Sequence, residues 1–193
     1  MQTNQPTGVE GGIVSNIGIQ TLYDTRDNIF TTTKGEFVKF DLLGSSSLLG
    51  SQFSYLKMSL DARYFIPTST TTSLGLHFRT GAIIGKPPFF DLNYFGTPSI
   101  GRGVTDRRYM DNNIYSMQAE FRYPIYKRLT GVAFSTINAV SSKYLVFDQS
   151  KFIPTIGAGI RITVNKREKN QIRIDGAYSE EGLNFYLTAS NAF

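Results

Sequence analysis

Apolar and polar residues alternate with a period of two along most of this chain, and no stretch carries a convincing helical period. Ile13 to Arg26 sets Ile17, Ile19 and Tyr23 against Asn16, Gly18, Gln20 and Asp24. Gly35 to Leu43 sets Val38, Phe40 and Leu42 against Lys39 and Asp41. Leu56, Met58, Leu60, Ala62 and Tyr64 then oppose Lys57, Ser59, Asp61 and Arg63. Leu74, Leu76 and Phe78 oppose Gly75, His77 and Arg79. From Tyr115 to Tyr126, Met117, Ala119, Phe121 and Tyr123 oppose Ser116, Gln118, Glu120 and Arg122. Leu129 to Val140 has a weaker alternation. Phe152 to Val164 is regular, with Ile156, Ala158, Ile160 and Ile162 against Gly157, Gly159 and Arg161. Gln171 to Ser179 sets Ile172 and Ile174 against Arg173 and Asp175, and Leu183 to Phe193 alternates to the chain end. The pattern predicts an all-β antiparallel fold of eight to nine strands. It shows no linker and no second domain, so residues 13–193 form one unit behind a tail over 1–12. That tail is expected to be disordered or a cloning remnant.

Alternation gives two faces but does not say which is inside. A soluble sandwich or barrel turns the apolar face inward, and a membrane barrel turns it toward lipid. Three features favour lipid. Several stretches reach about ten residues, the length that crosses a bilayer at a tilt. The polar face mixes both charge signs with glycines: Asp61, Arg63, Arg79, Glu120, Arg122, Arg161, Arg173 and Asp175. Aromatic residues gather near strand ends (Tyr23, Tyr64, Phe65, Tyr123, Tyr126 and Phe193), as in interfacial girdles.

The longest break between strands runs from Gly85 to Asn113. Gly101 and Gly103 flank Arg102 there, a spacing that lets the backbone turn tightly and project one long cation. Long ordered loops in compact domains are usually functional.

Composition narrows the chemistry. Of 193 residues 40% are hydrophobic, and no run approaches a transmembrane helix. Cysteine is absent, which excludes disulfides and thiolate metal sites. One histidine, His77, excludes a histidine-rich metal site and argues against a triad with Ser99. It reads as a lumen hydrogen-bonding residue. Gly157-Ala158-Gly159 lacks the third glycine and the helix of a phosphate loop. Glu120 and Asp175 read as salt-bridged lining before they read as catalytic carboxylates. Lys166-Arg167-Glu168-Lys169 reads as a solvated turn. The net charge of +5 suits acidic headgroups or nucleic acid, but aromatics on the apolar face make no exposed stacking platform. No enzyme activity, cofactor, metal or nucleic-acid partner is expected.

Tyr23-Asp24-Thr25-Arg26-Asp27-Asn28, with Thr33-Lys34-Gly35, resembles a turn motif of the bacterial surface antigen superfamily of outer-membrane barrels. That group includes BAM- and TamA-type insertases and two-partner secretion transporters. Leu60 to Tyr64, Glu120 to Pro124, Gly157 to Arg161 and Ile172 to Asp175 fit the same pattern in the same order. The resemblance covers about Gly18 to Phe193. It implies the C-terminal portion of a transmembrane barrel in the bacterial outer membrane, with the long loop folded into the lumen. Asp24, Arg26, Asp27 and Gly35 carry its motif. Partners would be outer-membrane lipid and unfolded protein clients, with homo-oligomer formation left open. Insertion or translocation of proteins is the implied function, and a minimal pore or membrane anchor is the alternative.

The resemblance places Arg102-Gly103-Val104 at an Arg-Gly-aromatic loop motif, with valine at the aromatic place. Thr136 stands where an aspartate often receives the arginine. Glu120 is therefore the expected principal partner of Arg102, and Asp175 the second. Phe193 resembles a terminal aromatic assembly signal.

Overall fold

The computed structural model describes residues 5–143, 151–165 and 170–189. The chain is built from antiparallel strands: β1 (Asn16–Asp24), β2 (Gly35–Ser45), β3 (Tyr55–Pro67), β4 (Ser73–Gly85), β5 (Asn93–Tyr94), β6 (Met110–Asp111), β7 (Asn113–Tyr126), β8 (Leu129–Ser141), β9 (Lys151–Asn165), β10 (Asn170–Ser179) and β11 (Gly182–Thr188). Nine of them form one sheet in the order β1-β2-β3-β4-β7-β8-β9-β10-β11. Each of the nine stretches expected from the alternation contains a strand of this sheet. β5 and β6 pair only with each other, inside the long loop. Their two residues each are too few to show a period.

Each strand of the main sheet pairs with its neighbour in the order, so the connections are hairpins. The long loop also joins adjacent strands, because β4 pairs directly with β7. Among the described residues no ladder joins β1 to β11. Single 3₁₀ turns lie at Ser47–Leu49 and Phe89–Asp91. Among the described residues no helix is long and apolar enough to cross a membrane, which says nothing of crossing by strands.

Burial decides the faces. Met117 is 57% exposed and Phe185 74%, whereas Glu120 is fully buried and Asp175 is 1% exposed. The apolar row therefore points outward and the polar row inward, opposite to a soluble sandwich. Registry keeps the faces continuous across strands: Arg63, His77, Gln118 and Thr136 lie side by side on the inner row. His77 meets Asp61, with Nε2 3.1 Å from Oδ1.

Two departures from the expected pattern have physical causes. Phe65, read as a girdle residue, is buried and faces inward, where Arg122 lies 5.3 Å from its ring. Alternation assigns it to the inner row, and proximity to the strand end had obscured this. Strand β8 shows a weak pattern because its inner row carries apolar Val132 and Phe134, both buried. With Ala177 they form a small apolar cluster on the inner side. Glycine opens room for rings in this region. A Cβ at Gly157 would lie 2.3 Å from Phe134 Cζ.

Residues 5–12, expected within a disordered tail, lie against the end of the sheet that carries the long loop. Thr7 O accepts from Phe89 N at 2.8 Å, and Ile13 O accepts from Gln52 N at 2.9 Å. The expected terminal signal Phe193 and the turn at 166–169 lie outside the described residues.

The two-faced wall makes a direct test possible because the chain has no cysteine of its own. Single cysteines replacing Met117 or Phe121 should react with a small lipid-soluble maleimide in the folded protein. One replacing Gln118, 5% exposed, should react only after unfolding. The reverse order, measured by mass spectrometry, would refute the assignment of faces.

Candidate functional site

The long loop enters the concave side of the sheet as a closed excursion. β5 and β6 zip its base, and residues 95–109 turn inward beyond them. A tight bend follows, in which Gly96 N donates to Ile100 O at 2.9 Å. Phe95, Ile100 and Val104 are buried with Ile114 of β7 and Ile153 of β9. This apolar plug anchors the loop against the wall by removing five hydrocarbon side chains from water. Gly101 at φ +71° and Gly103 at φ +95° supply left-handed turns on either side of Arg102.

Arg102 is fully buried. Its Nη2 donates to Glu120 Oε2 at 2.6 Å, and its Nη1 donates to Asp175 Oδ2 at 2.9 Å. Nε reaches Gln118 Oε1 at 3.4 Å. The guanidinium carbon sits 3.5 Å from the centroid of the Phe134 ring. A planar fork can satisfy two carboxylates and lie flat on a ring at the same time, which an ammonium cannot. Thr136, the position where a partner aspartate was expected, instead bonds Gln118 Oε1 at 3.3 Å.

The carboxylates are shared. Arg161 Nη1 donates to Asp175 Oδ1 at 2.5 Å, and its Nη2 to Glu120 Oε2 at 3.3 Å. Arg122 Nε donates to Glu120 Oε1 at 2.8 Å, and its Nη1 reaches Thr32 O at 2.8 Å. Arg173 Nε lies 3.1 Å from Asp175 Oδ2, and its Nη2 donates to Pro98 O of the loop at 2.7 Å. Four guanidinium groups thus surround two carboxylates, bridging the loop, β7, β9 and β10. Alternation places Arg122, Arg161 and Arg173 on the inner row but does not join them. Alternation reports a face, and relative height comes only from registry.

The backbone of Gly103 forms a second fastening. Gly103 N donates to the Tyr186 hydroxyl at 2.8 Å. Gly103 O accepts from Ser179 Oγ at 2.6 Å and from Asn184 Nδ2 at 3.0 Å. A side chain at Gly103 would press on Thr155 and Ala177, with Cβ contacts of 3.2 Å. Thr105 adds two bonds to Glu181 Oε2, from N at 3.0 Å and Oγ1 at 2.6 Å. Burial alone would raise the Glu181 pKa. The Thr105 hydroxyl and amide outweigh it and hold the carboxyl below its usual range. Ser179, Asn184 and Tyr186 were missed from sequence, because hydroxyl and amide groups on a strand carry no spacing signal.

The Asp24, Arg26, Asp27 and Gly35 motif lies at the opposite end of the sheet, away from Arg102. Arg26 grips Asp24 with two bonds, Nε to Oδ1 at 2.9 Å and Nη2 to Oδ2 at 2.7 Å. Asp27 Oδ1 accepts from Thr33 N at 2.9 Å, and Oδ2 from Thr33 Oγ1 at 2.6 Å. Gly35 has φ +109°, and a Cβ there would lie 2.4 Å from Thr25 O. The motif therefore folds the β1–β2 turn, and its tip supplies Thr32 O to Arg122. Among the described residues no group of His, Asp and Glu is arranged to hold a metal ion.

Two predictions follow from these contacts. Arg102→Glu places a third carboxylate beside Glu120 and Asp175 and should cost about 3–5 kcal/mol in a denaturant titration. Adding Glu120→Arg should recover part of that loss, and full additivity of the two changes would show that they do not interact. At the turn, burial would raise the Asp27 pKa, but hydrogen bonds from Thr33 and Lys34 lower it overall. A depressed folded-state pKa stabilises above the ordinary aspartate range, and the effect is lost as pH falls through the lowered value. The stability gap between the wild type and Asp27→Asn should therefore hold at neutral pH and narrow as pH falls below about 4, the ordinary aspartate value, toward the lowered one. A gap that is constant with pH would remove the role of the charge.

No curated protein matches the chain. The Omp85 superfamily domain matches residues 13–166, which include the β1–β2 turn motif, the whole loop with Arg102, and Glu120. The chain belongs to the Omp85 superfamily, a family of outer-membrane barrels for protein insertion and translocation.

Proposed function

We propose that this chain forms the loop-latched wall of an outer-membrane β-barrel that inserts or translocates proteins, and that it is not an enzyme. The observation that carries this reading is the fully buried Arg102, held by Glu120 and Asp175 on the inner face of an apolar-out sheet. A loop tied into the lumen by ion pairs braces the wall from inside. The outer face suits lipid: Ile156, Ile174 and Leu187 stand exposed on it, as do Tyr23, Tyr64, Tyr123 and Tyr126 near one end. Eight successive antiparallel pairings leave β1 and β11 pointing the same way. Antiparallel closure of the barrel therefore takes an odd number of further strands, which makes the total even.

A second reading, a pore, draws on a polar cleft of about 800 Å³ between the loop and the inner face of β1 to β4. Lys39, Asp41, Lys57, Arg63 and Arg79 line it.

Reconstitution into phospholipid vesicles separates the two. The chain should insert, shown by heat-sensitive gel mobility, and should speed the folding of a urea-unfolded outer-membrane protein added from outside. Arg102→Glu should abolish the acceleration. Normal insertion without acceleration would refute the insertion reading, and ion leakage in that case would leave the pore.

A further inference from the structure

The outer face carries one feature that a smooth lipid-facing wall does not need. On that face two rows of side chains run across five strands. One row is Glu36, Tyr64, Leu76, Ala119 and Ser135, and the other is Val38, Ala62, Phe78, Met117 and Ile137. Between them lies an apolar groove of about 560 Å³, floored by the backbone of the intervening inner-row residues. The small side chains of Ala62, Ala119 and Ser135 make it deep, and Tyr64, Met117 and Phe78 form its walls. Five strands span about 19 Å at the usual spacing. That length and volume suit a single extended acyl chain.

The groove has a polar end. Glu36 stands on the outward row with Val38, Phe40 and Leu42, paired with Tyr64 of β3. Among the described strands it is the one Asp, Glu, Lys or Arg on the outer face. It is exposed, one residue from the start of β2, beside the tyrosines of that end. The other end, at Ser135, lies midway along β8. The groove thus leads from the rim of the wall toward its middle, as a lipid tail does from its headgroup. A carboxylate at the rim repels phosphate-only headgroups and attracts an ammonium.

We propose that this groove binds one phospholipid bearing a primary ammonium. Its acyl chain lies between the two rows, the Glu36 carboxylate accepts from the ammonium, and the Tyr64 hydroxyl donates to the phosphate. The site rests on the membrane reading of the wall given above.

The test is native mass spectrometry of the chain released from vesicles of equal parts phosphatidylethanolamine, phosphatidylcholine and phosphatidylglycerol. Insertion is first verified by heat-sensitive mobility. The wild type should retain one phosphatidylethanolamine with about tenfold preference over either other lipid. Glu36→Gln should lose the preference while still retaining lipid, and Ala119→Leu, which fills the groove, should retain less of every lipid. Equal retention of the three lipids by the wild type would overturn the proposal, as would an unchanged preference in Glu36→Gln. A lipid-free dimer would also overturn it, by showing a second copy over the groove. Failure to insert would remove the membrane reading itself, and the site with it.

Discussion

A buried arginine needs acceptors, and that constraint organises the inner side of this sheet. Arg102 reaches the interior on a loop, and a guanidinium left unpaired there would carry a large desolvation penalty. Glu120 and Asp175 meet it from β7 and β10, while the Phe134 ring covers one face. These carboxylates also serve Arg122, Arg161 and Arg173, so cations outnumber anions in the cluster. The surplus is spread over neutral acceptors: Thr32 O, Pro98 O and Gln118 Oε1. Each of these belongs to a different segment. Charge compensation and tertiary assembly are therefore the same event, and the loop settles only when the surrounding strands stand in register.

Much of the wall was readable in the sequence because alternation is a strict consequence of strand geometry. Chain order then sets neighbours, since short turns force hairpins. The partners of Arg102 were readable too, because few carboxylates share the inner row and follow the loop. Other parts were not. Phe134 lies under Arg102, yet its strand shows apolar residues on both faces and so a blurred period. Tyr186, Asn184 and Ser179 grip backbone atoms of Gly103, and backbone donors and acceptors leave no trace in residue type. The groove on the outer face arises from registry between five strands, which no single strand encodes.

Glycine marks where segments approach most closely. The inner surface of β9 is stripped of side chains at Gly157 and Gly159. Phe134 occupies the space at the first, and the Asp175 carboxylate the space at the second, where a Cβ would lie 2.0 Å from Oδ1. A ring and a carboxylate of the ion cluster thus rest on bare backbone, which fixes their positions without help from the outer face.

The loop is fastened at two places far apart on the wall. Near its start, Asp91 takes Lys57 Nζ at 2.8 Å and the Tyr55 hydroxyl, both from β3. Near its tip, Arg102 and Gly103 hold β7, β10 and β11. In mechanical terms the loop is a chord drawn across an arc. The chord sets the radius of curvature between β3 and β11 whether or not the edges of the sheet meet. A wall tied this way keeps its bend when its margin opens, and a force that bends it further is met by compression along the chord before it strains the hydrogen bonds between strands.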